Sequence, residues 1–344
     1  MDFELDTTQR EVADAFSKFF DEQCPMEVVR RGEPLGFDGA LWAKLCETGA
    51  IGIAVPERSG GGGGRFGDLA QVVERQGRCL APVPLIESAV AARALSRADE
   101  REVVAAALFE VLEGTAIATV AMRPSDGARF SLLPAGAVAN FAIGLVDGDL
   151  ALVELDGAPP HANRSNLGSM PIADRTFTKA TVIVERQAGA HEAFLELLNE
   201  WKVLTALSLV GLAGRAHEMV LEYVKHRRAF GTLIGSFQSV SHRLADDIVE
   251  IDGATFLSYE AAWAADELPS RAHELGSMAF INAVETARRV STDALHLHGG
   301  IGYTMEHDVQ LYFRRARAWP LVYSDAKNEC QVLADRLLAR DLND

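Results

Sequence analysis

Apolar side chains recur every three to four positions through the first third of the chain, which is the spacing of one buried helix face. Thr7 or Thr8 is placed to cap the first of these helices. Gly49 stands where a second helix would end, since glycine readily adopts the left-handed conformation found there. The predicted helical stretches are residues 12–20, 41–46, 68–80 and 88–113. We therefore predict a helical N-terminal domain over residues 1–113.

From about residue 115 the pattern changes to short apolar runs rich in β-branched residues, which are typical of strands. Asp147-Gly148-Asp149 separates two of these runs and is a strong signal for a hairpin turn. The predicted strands are residues 116–122, 139–146, 150–155 and 176–185. Helices flank this region without alternating with its strands, which argues against a doubly wound sheet. We predict a small middle β domain, a barrel or sandwich, over residues 114–188.

Long helical repeats return near residue 190. The predicted helices are residues 191–226, 237–266, 271–298 and 325–341. A break near Leu268-Pro269 and other short connections join them, and four long helices joined in this way are typical of a helix bundle. We therefore predict an α+β fold in α–β–α order, with the helical bundle over residues 189–344.

Five consecutive glycines, Gly60 to Gly64, look at first like a phosphate-binding loop. A nucleotide-binding loop of that kind is followed by Lys-Ser or Lys-Thr and lies between a strand and a helix, and neither condition holds in this sequence. We interpret the run as a connecting loop that leads into the next helix.

Composition and charge narrow the class of protein. The chain has 344 residues, of which 48% are apolar and 24% charged, as in ordinary globular proteins of two or three domains. Its net charge of −16 argues against nucleic-acid binding, which needs a basic face. The four cysteines are scattered and favour reduced thiols over disulfides. His296, His298 and His307 lack nearby ligands at metal spacing, so no metal site is predicted.

The chain carries no signal for export or membrane insertion. Residues 1–6 are acidic, unlike a signal or transit peptide. No uninterrupted apolar run reaches the ~18 residues expected of a membrane span. These observations predict a cytoplasmic protein that does not associate with a membrane.

Two motifs in the C-terminal region carry a family resemblance. The first runs from Arg227 through Phe230-Gly231 to Phe237-Gln238, and the second is Leu297-His298-Gly299-Gly300-Ile301-Gly302-Tyr303-Thr304. Together with the α–β–α order, they resemble the acyl-CoA dehydrogenases over nearly the whole chain. The resemblance implies a flavoprotein in which FAD takes a hydride from an acyl-CoA thioester, creating a double bond between its α and β carbons. The electrons then pass to an electron-transfer flavoprotein.

The resemblance also implies where FAD would bind. In this family FAD lies between the β domain of one subunit and the C-terminal bundle of its neighbour. Arg227 would pair with the pyrophosphate, because its guanidinium fork matches phosphate oxygens. The glycine pair would let the backbone approach the cofactor closely. The residues implied to bind FAD are Arg227, Phe230, Phe237, Gln238, His296, Leu297, His298, Gly299 and Gly300.

The β domain departs from the family pattern. Family members usually carry a strand ending in Thr-Glu-Pro, followed by a glycine- and serine-rich segment that holds the flavin. Here the equivalent segment is Ala121 to Gly127, with Arg123 in place of the glutamate. We therefore expect this β domain to hold FAD weakly or not at all.

The catalytic base is the second departure. Counting along the C-terminal motifs places the usual glutamate position at Tyr323, and a tyrosine with a reference pKa of ~10 is a poor base at neutral pH. Asp325 lies two residues further on. Members that carry the base on the first bundle helix would have it at Trp201, and the adjacent Glu200 is rotated by about 100° around that helix. We expect the chain to lack its own base, with Glu200 and Asp325 as alternatives.

These features together favour a partner-dependent subunit. They resemble the non-catalytic-type subunit of actinobacterial heteromeric (α2β2) acyl-CoA dehydrogenases, in which a paralogous subunit supplies the base and the acyl pocket. A bulky sterol side chain as a CoA thioester is suggested by analogy alone. One alternative is a self-sufficient homo-oligomeric enzyme that uses Glu200 or Asp325. Another is a non-enzymatic scaffold of the same fold.

Overall fold

The computed structural model describes residues 5–98, 100–162 and 165–341. Residues 1–6, on whose acidic character the expectation of no signal peptide rests, lie mostly outside these ranges. Within them the chain forms eleven α-helices: α1 Thr7–Gln23, α2 Met26–Gly32, α3 Gly39–Glu47, α4 Phe66–Cys79, α5 Leu85–Ser96, α6 Glu102–Leu112, α7 Ala190–His226, α8 Gln238–Glu267, α9 Pro269–Leu297, α10 Val309–Ala318 and α11 Ala326–Asp341. The strands are β1 Ala118–Val120, β2 Arg129–Leu133, β3 Phe141–Val146, β4 Asp149–Leu155, β5 Ala173–Val184, β6 Arg228–Ala229 and β7 Thr232–Leu233. The predicted α–β–α order is confirmed.

The N-terminal helices match the predicted stretches with three corrections, the first of which is that α2, Met26–Gly32, lies outside every predicted stretch. Asp6, rather than Thr7 or Thr8, caps α1, because its carboxylate accepts the Gln9 amide at 2.8 Å while the Gln9 side chain accepts the Asp6 amide at 3.2 Å. The stretch 88–113 divides into α5 and α6, a break that the alanine-rich sequence on both sides conceals. Gly49 has the predicted left-handed conformation, with φ 74°, after α3.

The middle region is a five-stranded mixed sheet in the order β1-β3-β4-β5-β2. The predicted hairpin joins β3 to β4, and Asp147 and Gly148 at its tip both have positive φ, at 50° and 92°. β2 was not predicted, because only Phe130 and Leu133 of its five residues are buried and no alternation results. β1 pairs in parallel with β3, whereas the other strand pairs are antiparallel.

The four long helices predicted for the C-terminal region are confirmed as α7, α8, α9 and α11, and the structure adds the shorter α10. α4 crosses α7 with their backbones in contact, which glycine permits. A Cβ atom at Gly77 would lie 1.9 Å from the Ser208 carbonyl oxygen, and one at Gly211 would lie 2.1 Å from that of Glu74. These two glycines therefore set the position of α4 on the bundle.

Contacts within the chain group it into two compact units. One comprises the described parts of 1–26, 73–81 and 202–344, and the other comprises 27–72 and 82–201. The three-domain boundaries predicted at 113/114 and 188/189 therefore stay predictions. The helix α7 is long and apolar enough to cross a membrane by length and composition, but 78% of its most apolar window is buried inside the protein. That burial is typical of a core helix.

Candidate cofactor and catalytic site

A short hairpin follows α7 and contains the first predicted FAD motif. Arg228 pairs with Leu233 and Ala229 with Thr232, leaving Phe230 and Gly231 as a two-residue tip. Both tip residues have positive φ, at 53° and 82°, as the tightest hairpin turns require. The turn leaves the Phe230 side chain 97% exposed. The chain thus presents a large aromatic ring to its surroundings.

Arg227 stands at the base of this hairpin. Its amide donates to the Tyr223 carbonyl at 2.9 Å, which extends the last turn of α7. Its guanidinium makes no hydrogen bond or ion pair with any of the residues that the structure describes. The side chain borders a cavity of about 600 Å³ that is also lined by His226, His298 and His307. The fold therefore brings together Arg227 and His298, which belong to the two separate sequence motifs.

His298 forms part of the wall of this cavity. Its side chain is buried, and its Nδ1–H donates to the Ala294 carbonyl at 2.7 Å. The ring stacks on Tyr223, with centroids 4.5 Å apart, and lies 4.5 Å from the ring of His307. Burial lowers the pKa of His298, and the neighbouring His307 lowers it further. A neutral, fixed ring suits a packing role rather than a charged one.

The other predicted FAD residues lie on the exposed side of the same region. Phe237 packs its ring edge-on against Phe230 at 6.3 Å, and Gln238 is exposed at the start of α8. His296 is exposed and Leu297 half-buried at the end of α9. Gly299 has φ 65°, and a Cβ atom at Gly299 or Gly300 would meet nothing within 4 Å.

These residues fit a phosphate-bearing planar cofactor on chemical grounds. An uncommitted guanidinium supplies the fork that phosphate oxygens prefer. Exposed aromatic rings supply a surface for a planar group. The open backbone at the glycine pair leaves room for close approach. The bundle therefore offers donors suited to FAD.

The β domain offers fewer such donors. In the segment equivalent to the family's flavin-binding loop, backbone amides are already used within the sheet region: Ala121 donates to Ile143 at 2.8 Å and Ser125 to Leu145 at 2.8 Å. Arg123 is exposed. These two amides are committed to a neighbouring strand and are unavailable for a cofactor.

The glycine run is also committed to the fold. The amides of Gly62, Gly63 and Gly64 donate to backbone carbonyls of residues 52–55 at 2.8 to 2.9 Å. These amides therefore do not point at an open phosphate site. This agrees with the interpretation of the run as a connecting loop.

Tyr323, at the usual base position, belongs to a buried polar cluster. Its hydroxyl donates to Glu329 Oε2 at 3.0 Å, while Lys202 Nζ donates to Glu329 Oε1 at 2.7 Å. Ser277 also donates to Glu329, at 2.6 Å. Burial and the adjacent carboxylate raise the pKa of Tyr323 well above its usual range. A phenol held in this way is a poor proton acceptor.

Both alternative bases have structural partners. Glu200 is buried and bound by Arg93, at 3.1 Å, and by Arg97. Burial alone would raise the pKa of Glu200, but the two guanidinium groups outweigh it and lower that pKa. Asp325 is exposed and accepts the Asn328 amide at 2.8 Å, which caps α11. The environment of Glu200 is therefore not that of a base tuned toward neutral pH.

A further carboxyl, Glu87, contacts the position of the alternative base. The Trp201 indole N–H donates to Glu87 Oε1 at 3.4 Å. Burial raises the pKa of Glu87, and the hydrogen bond from Trp201 offsets only part of that effect. No local pattern around residue 87 could have revealed this contact, because the two residues are 114 positions apart.

Comparisons with known proteins agree with the fold and the motifs. Residues 6–115 match the family described as "Acyl-CoA dehydrogenase, N-terminal domain", and residues 191–322 match "Acyl-CoA dehydrogenase, C-terminal domain". The chain is 32% identical over 289 residues to the acyl-CoA dehydrogenase IpdE2 of Mycolicibacterium smegmatis, covering 82% of this chain and 83% of the relative. The chain belongs to the acyl-CoA dehydrogenase family. Members of this family are FAD-dependent oxidoreductases.

Solved structures extend the likeness over the whole chain. The crystal structure of the ChsE4–ChsE5 complex from Mycobacterium tuberculosis is 25% identical, with a TM-score of 0.87 over 98% of this chain and 99% of that chain. The Tcur3481–Tcur3483 steroid acyl-CoA dehydrogenase is 24% identical, with a TM-score of 0.85 over 98% of this chain and 99% of that chain, a likeness in fold alone. The first of these structures is described as a complex.

Proposed function

We propose that this chain is the FAD-completing subunit of a heteromeric acyl-CoA dehydrogenase. The observation that carries the proposal is the exposed hairpin, on which the Arg227 guanidinium makes no hydrogen bond or ion pair with the described residues and Phe230 is 97% exposed. Side chains arranged in this way suit a cofactor that is shared with a second subunit. The likeness to a complex of two different chains supports the same assembly.

The residues of this chain would bind and orient FAD. Arg227 would neutralise the pyrophosphate, Phe230 would cover a planar face of the cofactor, and Gln238 would hydrogen-bond to it. Gly299 and Gly300 would admit the cofactor close to the backbone. When bound, FAD accepts the hydride removed from the β carbon of the acyl thioester.

The second subunit would supply what this chain lacks. Tyr323, Glu200 and Asp325 are each engaged in structural hydrogen bonds or ion pairs, so none is poised to remove the α proton. We therefore assign the base, and the acyl-CoA pocket, to a paralogous acyl-CoA dehydrogenase subunit. An electron-transfer flavoprotein would accept the electrons, and we place the complex in the cytoplasm. A sterol side chain as a CoA thioester is the substrate class that we propose, by analogy alone.

Flavin content tests the proposal. The chain produced alone should be colourless, and co-production with a paralogous acyl-CoA dehydrogenase subunit should give a yellow complex. Arg227→Ala should remove most of the flavin from that complex, because the phosphate loses its charge partner. Arg228→Ala is the matched control, since it removes the same charge one residue along the same hairpin, and it should retain the flavin. Unchanged flavin in the Arg227→Ala complex would refute the role of Arg227.

A self-sufficient enzyme is the second candidate, and one observation favours it. Glu87 is a carboxyl with a raised pKa beside Trp201, the other base position in the family. Under this alternative the chain produced alone would be yellow and would bleach when acyl-CoA is added. Glu87→Gln would then keep the flavin but abolish the bleaching.

A further inference from the structure

Two carboxyl groups lie side by side between α8 and α9. Asp247 of α8 is fully buried, and no N–H or hydroxyl group of the described residues donates a hydrogen bond to either of its oxygens. The Asp293 carboxyl of α9 lies within hydrogen-bonding reach of Asp247. A hydrogen bond between two carboxyl groups needs a proton on one of them, because an ionised carboxylate is an acceptor only. The pair is therefore arranged to hold one proton between its two members.

The neighbouring cations are engaged with other acids. Arg289 Nε lies 3.5 Å from Asp247 Oδ1, too far for a strong hydrogen bond, and the same guanidinium binds Glu250. Arg243 Nη1 instead donates to Asp293, at 3.1 Å. The buried acid thus lies beside a second acid, with one shared cation at a distance.

Other charged groups surround the pair on three helices. They are His217 and Glu218 of α7, which border a cavity beside this part of α8, the exposed Asp246 of α8, and Arg317 of α10, which donates to the residue before Asp293. Burial lowers the pKa of His217, and the charge of Glu218 offsets part of that shift. His217 therefore releases its proton at lower pH than the acid pair.

The acid pair lies close to both cofactor motifs. The contacts of Arg243 and Arg289 run in opposite order along the two helices, which are therefore antiparallel. Continued towards the start of α8, the same register brings Gln238 level with the Gly299-Gly300 pair that follows α9. Contacts between α8 and α9 near this end therefore set the distance between the two motifs.

We propose that Asp247 and Asp293 share one proton, and that this proton holds the start of α8 and the end of α9 at the spacing that the cofactor needs. Loss of the proton leaves two negative charges together with little access to water, and separation of the helices relieves their repulsion. The inference rests on the proposed function in one respect, since the cofactor is the FAD assigned to these motifs there. This chain then binds FAD more tightly at pH 6 than at pH 8.

The closed helix pair binds the proton more tightly than a separated one. Burial, and then the charge of Asp293, raise the pKa of Asp247 to about 7, whereas an exposed aspartate has a pKa of ~3.9. The proton therefore stabilises the closed pair fully below about pH 4, and this contribution is lost as pH rises to about 7. From pH 6 to pH 8 the equilibrium constant for local opening should rise on the order of tenfold.

Hydrogen exchange of the purified chain measures this opening without reference to flavin. Wild type and Asp247→Asn are compared at the same pH, which cancels the intrinsic pH dependence of amide exchange. The ratio of wild-type to variant rates in segments 238–250 and 289–300 should rise on the order of tenfold from pH 6 to pH 8. The matched control, Asp246→Asn, should behave as the wild type, because that adjacent side chain is 71% exposed. Residues 66–79, in α4, should show a constant ratio.

Two further variants distinguish a shared proton from a single buried acid. Asp293→Asn places an amide donor beside the Asp247 carboxylate, which favours the charged form, so the rise between pH 6 and pH 8 should disappear. Arg243→Gln breaks the same ion pair but keeps both carboxyl groups, so the rise should persist. The proposal is overturned if the wild-type ratio is constant over this range, if Asp293→Asn keeps the full rise, or if Arg243→Gln abolishes it.

Flavin release from the complex with a paralogous subunit tests the link to the cofactor. Release requires the two motifs to separate, so it should be faster at pH 8 than at pH 6 in the wild type, on the order of tenfold. Asp247→Asn should remove this difference. Equal release from the wild type at both pH values would overturn control of the motifs by the proton. A wild-type chain that is yellow when produced alone would instead refute the proposed function, while its exchange profile would still decide whether the proton is shared.

Discussion

At the scale of single residues, Asp247 on α8 is the least expected side chain of the bundle. It is fully buried, and neither carboxylate oxygen has a hydrogen-bond partner among the described residues. Arg289 Nε lies 3.5 Å from Oδ1, too far for a strong hydrogen bond. Burial first, and then the nearby Asp293, raise the pKa of Asp247 to about 7. The acid therefore holds a proton in the folded protein at pH values where an exposed aspartate has lost it.

This raised pKa predicts a pH-dependent stability. The folded state binds the proton more tightly than the unfolded chain, so the stability contribution is complete below about pH 4 and is lost as pH rises to about 7. The other groups around Asp247 are Arg243, Asp246 and Glu250 on α8, with Arg289 and Asp293 on α9. Asp247→Asn should flatten the decline between these pH values. At pH 8 it should stabilise the protein by at least about 1 kcal/mol, because a neutral amide replaces a carboxylate that would be charged and buried without a partner.

Urea unfolding between pH 5 and pH 8 measures this effect, since the midpoint follows stability when the slope is unchanged. Asp246→Asn is the control, because this adjacent side chain is 71% exposed and its loss should leave the pH profile unaltered. An Asp247→Asn protein whose stability still declines as steeply as the wild type would contradict the assignment.

At the scale of elements, the sequence pattern predicted most helices because each buries one periodic face. The pattern did not predict boundaries or elements correctly where the apolar residues have no clear period. The alanine-rich stretch hides the boundary between α5 and α6, and β2 has too few buried side chains to show a strand pattern.

The hairpin motif indicates Arg227 and Phe230, but only the fold shows that Arg227 and His298 border one cavity. Glu87 and the Lys202–Glu329 pair join distant parts of the chain, and no local pattern encodes such contacts.

The Lys202–Glu329 pair links α7 to α11 and should be essential to their packing. Both side chains are nearly inaccessible, at 4% and 1% exposed. Lys202→Met would leave the Glu329 carboxylate buried without its cation and should destabilise the protein by about 3–5 kcal/mol. Adding Glu329→Gln should recover part of that loss, because the amide is neutral but still accepts from Tyr323. Thermal or urea unfolding measures both changes.

An exposed pair provides the comparison. Lys225 binds Glu222 at 2.7 Å with both side chains more than half exposed, and Lys225→Met should barely change the unfolding midpoint. A Lys202→Met protein as stable as the Lys225→Met protein would show that the buried pair contributes little. In that case Glu329 would have to be protonated in the folded state.

At the scale of the whole molecule, net charge and exposed apolar surface have opposite effects on association between copies of the chain. The chain carries a net charge of −16, and much of its exposed apolar surface in the bundle lies on α8 and on the loop after α9. A molecule of this kind stays separate from its own copies while keeping an apolar surface for a partner. Because repulsion between like charges keeps the copies apart, salt concentration should control their association.

Salt should therefore strengthen self-association of the chain. The screening length falls from ~10 Å at 0.1 M to ~3 Å at 1 M salt, which weakens the repulsion between exposed charges of like sign. The burial of apolar surface that favours contact between copies remains at high salt. Sedimentation equilibrium of the purified chain across this range measures the effect. An association that weakens as salt increases would show that attraction between opposite charges, rather than apolar burial, holds the copies together.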